Sequence, residues 1–504
     1  MHRTHSPRRE LAIRVLKYLI MILLILGGVI LSLFWAMGYR FNFGDRQISR
    51  IALLQFGSFP NNANIDINGS RISASTPTRL NVGAGEITVQ FSRDGYRNWQ
   101  RTVYMSPGQV KWLNYARLIP NTITTNTIHE FTDVKQMLVS PDRNWLAIRT
   151  SDGRYEYNHE QLYYNEVSYE MPLTLILADI SNPENVRFSN LEVPAGRIRT
   201  PVGYQTEKFE IIEWGSDSRH ILARHVVGEL EDFLLIDRRN PSQTRNLSQN
   251  LNQNDTEATL HNMRFAANSR DGLWALSSDD NCLVRITPSN NFISEAIECG
   301  ISDFVTSSDN KIAFVSIAST GAGSESELER KSQTVKVYDG RSVTSVREFD
   351  ESAVLMIAMT RFNRQDFLAI SEGEIVKIHK NPVQNLISSQ IYLSSPGGID
   401  WLSVSPGGRF LAAGRHGRIV SYNFENHSDY SFEINDSAAP HWLDGYRLIT
   451  SNNGQIQMIE FDGANRENIV SGFGQVTLSR NERFLFSLGD LNGGVVLQRS
   501  RLVI

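Results

Sequence analysis

Cysteine is nearly absent from this chain: two residues in 504, Cys282 and Cys299. That excludes a disulfide-rich scaffold, and the spacing gives no metal-ligand pattern. Blocks of like charge are missing beyond the first residues. With 50 Lys and Arg against 54 Asp and Glu, net -4, nothing points to nucleic acid. The chain also lacks a G-x-S-x-G elbow, a P-loop, an H-E-x-x-H helix and the kinase signatures. These absences leave no catalytic residue, metal ligand or cofactor to name. A site assembled from loops stays open, because fold and motif do not fix function.

Long apolar runs are scarce as well, and there is one exception. Residues 18–39, YLIMILLILGGVILSLFWAMGY, carry no charge and as a helix would cross the ~30 Å hydrocarbon core. Arg3, Arg8, Arg9, Arg14 and Lys17 precede the run against one Glu10, so residues 1–17 carry about +4 and the remainder about -8. By the positive-inside rule the tail is expected in the cytoplasm and the body outside, a single-pass signal-anchor in the cell membrane. Trp35, Tyr39 and Tyr18 suit the interfacial aromatic belt. A cleaved secretory signal is the rival reading. The run is longer than a usual signal core, and Ala36-Met37-Gly38 is a poor cleavage site. No cysteine follows it to carry a lipid.

Residues 49–120 read as short strands between turn signals. Asn68-Gly69 and Asp94-Gly95 are tight-turn dipeptides, and Thr76-Pro77 starts an extended segment. The order Pro60-Asn61-Asn62-Ala63, Asn64-Ile65-Asp66-Ile67-Asn68-Gly69, Thr76-Pro77, Gly85-Glu86-Ile87-Thr88-Val89 and Asp94-Gly95-Tyr96 resembles a PEGA domain. Asn61 and Asn62 stand where that family has Glu and Gly. The resemblance implies a small β-sandwich of the cell envelope, a non-catalytic spacer or adhesion module. Tyr96 and Trp99 are then expected in its core.

From residue 121 to 504 the chain repeats an apolar strand, a Ser/Asp/Gly turn and a second apolar strand. Eight such turns lie about 36 to 75 residues apart, among them VSPDRNWLAIRT (139–150), EWGSDSRHILARH (213–225) and VSPGGRFLAAGRH (404–416). The shorter gaps fit a four-stranded propeller blade. Ser140-Pro141-Asp142 and Ser405-Pro406-Gly407-Gly408 resemble the turns of the WD-repeat-like, TolB-type propellers. Eight units predict eight blades, or seven if one degenerate unit is an insertion. The last unit supplies three strands, and NTITTNTIHEF after the sandwich is positioned to supply the fourth. Trp214, Trp401 and Trp442 are expected to fill the space between blades.

The expected fold is therefore one transmembrane α-helix followed by an all-β ectodomain, a PEGA-like β-sandwich and a β-propeller. The expected partners are the lipid bilayer through residues 18–39 and an envelope protein or glycan. Tyr155, Tyr157, Tyr163, Tyr164 and Tyr169, in one long gap, make a candidate binding loop or a hairpin packed on its own aromatics. If the turn Pro288-Ser289-Asn290-Asn291 is central to its hairpin, Cys282 and Cys299 face each other and can bridge, contributing about 3 kcal/mol in the chain-entropy model; otherwise they are two buried thiols. His220 and His225, five apart on a strand, point to opposite faces and are not expected to share a metal. The function these features imply is a binding protein of the envelope. The alternative is an enzyme, a lyase or hydrolase, working at the propeller's central mouth.

Overall fold

The structure is a computed structural model. It describes residues 7–36, 39–42, 47–150, 173–193, 207–227, 230–248, 260–267, 272–277, 280–307, 309–320, 330–384, 391–415, 417–435, 438–491 and 493–504. They divide into two compact units, 1–122 with 503–504, and 123–502.

The first unit begins with helix α1, Pro7–Ala36. Its stretch Arg14–Phe34 is long and apolar enough to cross a membrane, and none of it is buried. The helix starts well before Tyr18. Pro7 suits a first turn, and the residues that follow are good helix formers despite their charge.

Eight strands follow: β1 (Tyr39–Asn42), β2 (Gln47–Phe59), β3 (Asn64–Ile67), β4 (Ser70–Ser75), β5 (Thr78–Gly83), β6 (Gly85–Ser92), β7 (Trp99–Met105) and β8 (Val110–Arg117). In one sheet β2 pairs antiparallel with β1 and β5 and parallel with β8. The other has the order β4-β3-β6-β7. Alternation builds the core: β6 buries Ile87, Val89 and Phe91 and leaves its intervening residues partly exposed. Phe91 stacks on Trp99 at 5.0 Å, and Tyr96 is buried beside them.

The turn chemistry explains the altered tetrapeptide. Asn62 has φ 63°, a left-handed conformation that asparagine tolerates better than most residues, so it can stand in for glycine. Ala63 is wholly buried, and its N–H donates to Thr76 Oγ1 at 2.9 Å. Asn68 and Gly69 both have positive φ, as a two-residue hairpin loop of type I′ requires.

The second unit contains eight four-stranded antiparallel sheets among the described residues, numbered here in chain order: I (136–193), II (207–246), III (260–293), IV (301–350), V (355–394), VI (401–433), VII (441–471) and VIII (473–501). Sheet VIII takes its fourth strand from β9, Thr125–Phe131, which pairs with Gly494–Arg501. The propeller's first and last strands therefore meet in one sheet, which joins the two ends of the second unit. First strands lie side by side from sheet I to sheet VI, and the first strand of VIII lies beside that of I. This circular order is a propeller.

Second strands such as Phe410–Arg415 are apolar without alternation because both of their faces are covered. The cores sit between successive sheets: Ala147, Leu177, Phe209 and Ile221 join I to II, and Ala412, Ile419, Leu448 and Ile459 join VI to VII. Trp214 lies between I and II, with its indole N–H donating to Leu138 O at 3.2 Å. Trp401 and Trp442 pack in the cluster between VI and VII.

Candidate binding cleft

Four of the turns between first and second strands, in sheets I, II, VI and VIII, share one geometry. In sheet I the Ser140 N–H donates to Trp145 O at 2.9 Å, and the Arg143 N–H to Ser140 O at 2.8 Å. The same two bonds recur at Gly215 and Ser218, at Ser405 and Gly408, and at Ser479 and Glu482. The third residue after each starting position is left-handed: Arg143, Ser218, Gly408 and Glu482 have φ between 54° and 74°.

Neighbouring turns are tied together. The Asp142 N–H donates to Ser218 Oγ at 3.1 Å, and Arg143 pairs with Glu482 at 3.5 Å. Arg361 pairs with Asp309, and Lys311 with Asp366. A Cβ on Gly408 would lie 2.7 Å from Arg361 O, so only glycine lets sheets V and VI approach there. These turns share one face of the propeller.

On that face a cleft of about 880 Å³ opens at sheets II and III. The first turn of sheet II supplies Asp217, Arg219 and His220; its third strand ends in Asp237, the connection that follows supplies Arg239 and Gln243, and the fourth strand supplies Arg245; sheet III adds Ser289. Two acids are already engaged. Arg219 grips both oxygens of Asp237, with Nε to Oδ1 at 2.8 Å. Burial disfavours the Asp237 carboxylate, but the Arg219 fork and the Arg239 N–H outweigh it and hold its pKa below the usual carboxylate range. Asp217 is likewise lowered: its burial is overcome by the N–H groups of Arg219 and His220 and by the His220 ring, whose Nδ1 lies at 2.7 Å.

The other two arginines are unbalanced. The Arg245 guanidinium donates to Pro288 O, and among the described residues neither it nor Arg239 has a carboxylate partner. The wall therefore presents two guanidinium forks, with Gln243, Ser216 and Ser289 beside them, and Leu235 as its apolar member. That arrangement suits a polar ligand bearing negative charge. Nothing in the sequence reading singled these arginines out. The available signal was the acid-Arg-Arg run Asp237-Arg238-Arg239 that ends an apolar strand.

A second cleft of about 450 Å³ lies along the first strands of sheets I to III. Gln136 bonds both ways to the Ile211 backbone, at 2.6 and 2.8 Å, and Arg224 bridges Glu210 (3.3 Å) and Glu231 (3.1 Å). His261, Asn262 and Arg264 complete its polar lining.

Among the described residues no three His, Cys, Asp or Glu side chains group to hold a metal. His220 bonds Asp217, while His225 is buried farther along the same strand. Asp66 pairs with Arg71 at 3.1 Å. Tyr155, Tyr157, Tyr163, Tyr164 and Tyr169 lie outside the described residues. The turn at Pro288–Asn290 closes a hairpin in which the Leu283 N–H donates to Glu298 O at 2.8 Å, and a disulfide joins Cys282 and Cys299.

Comparison with known proteins identifies the domain in the first unit. Residues 52–118 match the PEGA domain family. No curated protein matches the chain by sequence. Among solved structures it is similar to the Dos1 propeller (12% identity, 75% of this chain and 96% of that one, TM-score 0.43). It is also similar to the Myceliophteria thermophila Cps50 (Swd1) β-propeller domain (12% identity, 76% and 100% covered, TM-score 0.38). A third is an oligogalacturonate lyase from Vibrio parahaemolyticus (9% identity, 76% and 99% covered, TM-score 0.37). Likenesses this distant carry no argument about activity. The chain joins a PEGA domain, at residues 52–118, to a β-propeller built from four-stranded sheets.

Proposed function

We propose that this is a single-span envelope protein, with its tail in the cytoplasm and its body outside the membrane, whose propeller binds a protein or glycan. The organisation proposed is a basic tail (1–17), a membrane segment (18–39) that is helical to Ala36, a PEGA sandwich (49–120) as spacer or adhesion module, and an eight-bladed propeller (121–504) as the binding head. The orientation is supported by the cationic residues before the apolar run. An oxidising compartment would keep the Cys282–Cys299 bridge. The tyrosines at 155–169 are proposed as an accessory binding loop.

The observation that carries the reading is the open cleft with two uncompensated arginines, Arg239 and Arg245. The cleft volume falls in the ~300–1,000 Å³ range of small-ligand sites, and its polar wall would orient a ligand by hydrogen bonds. The test is a screen of the full chain, held in lipid nanodiscs, against arrays of charged and neutral glycans and against purified envelope proteins. The expected result is a saturable ligand that competes at this cleft. Binding to none of them would overturn the reading. Protease treatment of intact cells checks the orientation: the propeller is cut without breaching the inner membrane once any outer layer is opened.

The enzymatic alternative would use the second cleft, which Glu210, Glu231 and His261 line. Release of product from a polymeric glycan, lost in Glu231→Gln, would favour it.

A further inference from the structure

Among the described residues, the sandwich strands expose three large apolar side chains, and all three lie toward one end. Tyr104 is 68% exposed, Val110 52% and Trp112 54%. Tyr104 precedes the turn between β7 and β8, and Val110 follows it. That turn is fastened to the start of β2: the Gly108 N–H donates to Ile51 O and the Leu53 N–H to Gln109 O, both at 2.8 Å. Leu53 pairs with Val110, and Gln55 with Trp112.

The same end is tied to the helix by very little chain. α1 ends at Ala36, β1 begins at Tyr39, and Tyr39 pairs with Arg50 of β2. Two intervening residues reach at most ~11 Å. From Arg50 to Leu53 is a further ~10 Å along the strand. The headgroup layer is itself roughly 5–8 Å deep on each side. Whatever angle the sandwich takes, its apolar collar is held within a few residues of the bilayer surface.

The chemistry of the collar matches that surface. Tyrosine and tryptophan concentrate where hydrocarbon meets water. Lys111, between the two aromatics in sequence, donates to Tyr104 O at 3.2 Å. Glu86 pairs with Tyr104 across β6 and β7, so this end suits the headgroup layer and not the hydrocarbon.

We propose that this end of the sandwich rests on the headgroup layer of the membrane that α1 crosses, with Tyr104, Val110 and Trp112 as its lipid contacts. This rests on α1 being a retained span. The contact restricts the swing of the sandwich on its short tether.

The test uses the full chain in phosphatidylcholine vesicles, with and without lipid brominated near the top of the acyl chain. Tryptophan emission is compared between the natural protein and Trp112→Phe, whose exposed site leaves the core untouched. The difference isolates Trp112 and cancels Trp35, which lies in the helix. The expected result is at least a twofold drop in the Trp112 emission with brominated lipid, with weak quenching by aqueous iodide. Emission indifferent to brominated lipid overturns the proposal: iodide quenching would place Trp112 in water, and protection from both quenchers would place it under protein. A chain that fails to enter the vesicles at all overturns the retained span itself, and the lipid contact with it.

Discussion

The sandwich and the propeller are both all-β, yet they bury their apolar residues in different ways. The sandwich has one core, in which Leu54, Phe56, Phe91, Trp99, Met105 and Leu113 share a single cluster between two sheets. The propeller spreads its burial over a succession of clusters, each shared by neighbouring sheets, and ties its turns together with ion pairs and hydrogen bonds. A single lost side chain should matter most where one core serves the whole fold. In the propeller the sheet-to-sheet fit, set by glycine and by the turns, should matter more than any one residue.

The strongest way to break this comparison is Trp99→Ala. Removing a fully enclosed aromatic costs about 3–5 kcal/mol, and the sandwich has no second core to fall back on. Denaturant unfolding followed by hydrogen exchange should show the sandwich amides losing protection while the propeller amides keep theirs. Equal loss in both units would mean that the two cores are not independent.

A somewhat smaller effect is expected at Cys282 and Cys299. Replacing both by serine opens a loop with a sequence separation of 17 and should lower propeller stability by about 3 kcal/mol in the chain-entropy model. The readout is the denaturation midpoint of the propeller, with the sandwich as an internal control.

Two adjacent glycines sharpen the comparison further. Gly407 and Gly408 both have positive φ, at 84° and 74°, but a Cβ on Gly407 meets open space. Gly407→Ala should cost about 1 kcal/mol, from backbone strain alone. Gly408→Ala adds a collision with Arg361 O and should cost about 2–3 kcal/mol. Equal costs would mean that sheets V and VI separate freely.

The smallest effect is a pH dependence. Asp237 is held below its unfolded pKa, so its pairing with Arg219 stabilises the fold above the ordinary carboxylate range and is lost as pH falls through the lowered value. Asp237→Asn should flatten the acid limb of the stability curve below about pH 4 and change its slope little near neutrality.

Legibility followed the same divide. In the sandwich the fold is written in adjacent residues: Asn68-Gly69 turns, Ala63 fits a closed site, and β6 alternates. Even the departure at Asn62 is local, since asparagine accepts the left-handed backbone it occupies. In the propeller the strands and turns could be located, but the left-handed position is held by Arg143, Ser218 and Glu482 where glycine is expected. Those turns keep their shape because neighbouring sheets bond to them, which no single repeat reveals. The cleft was harder still. Arg219 comes from the first turn of sheet II, Arg239 and Arg245 from after its third strand, and they meet Ser289 of the next sheet, so the site exists only after the sheets pack. Helix α1 was visible as an apolar run, while its start at Pro7 depended on helix propensity in a charged segment.

The central claim is that the propeller binds through its arginine-lined cleft. The direct measurement is the affinity of a ligand found by the array screen for the full chain and for Arg239→Ala/Arg245→Ala. Hydrogen bonds to charged groups are worth about 1.5–3 kcal/mol each, so binding should weaken at least tenfold. The thermal midpoint falls only by the loss of the Arg245 bond to Pro288 O, which Arg239→Ala alone leaves in place. Unaltered affinity in the double variant would contradict the account.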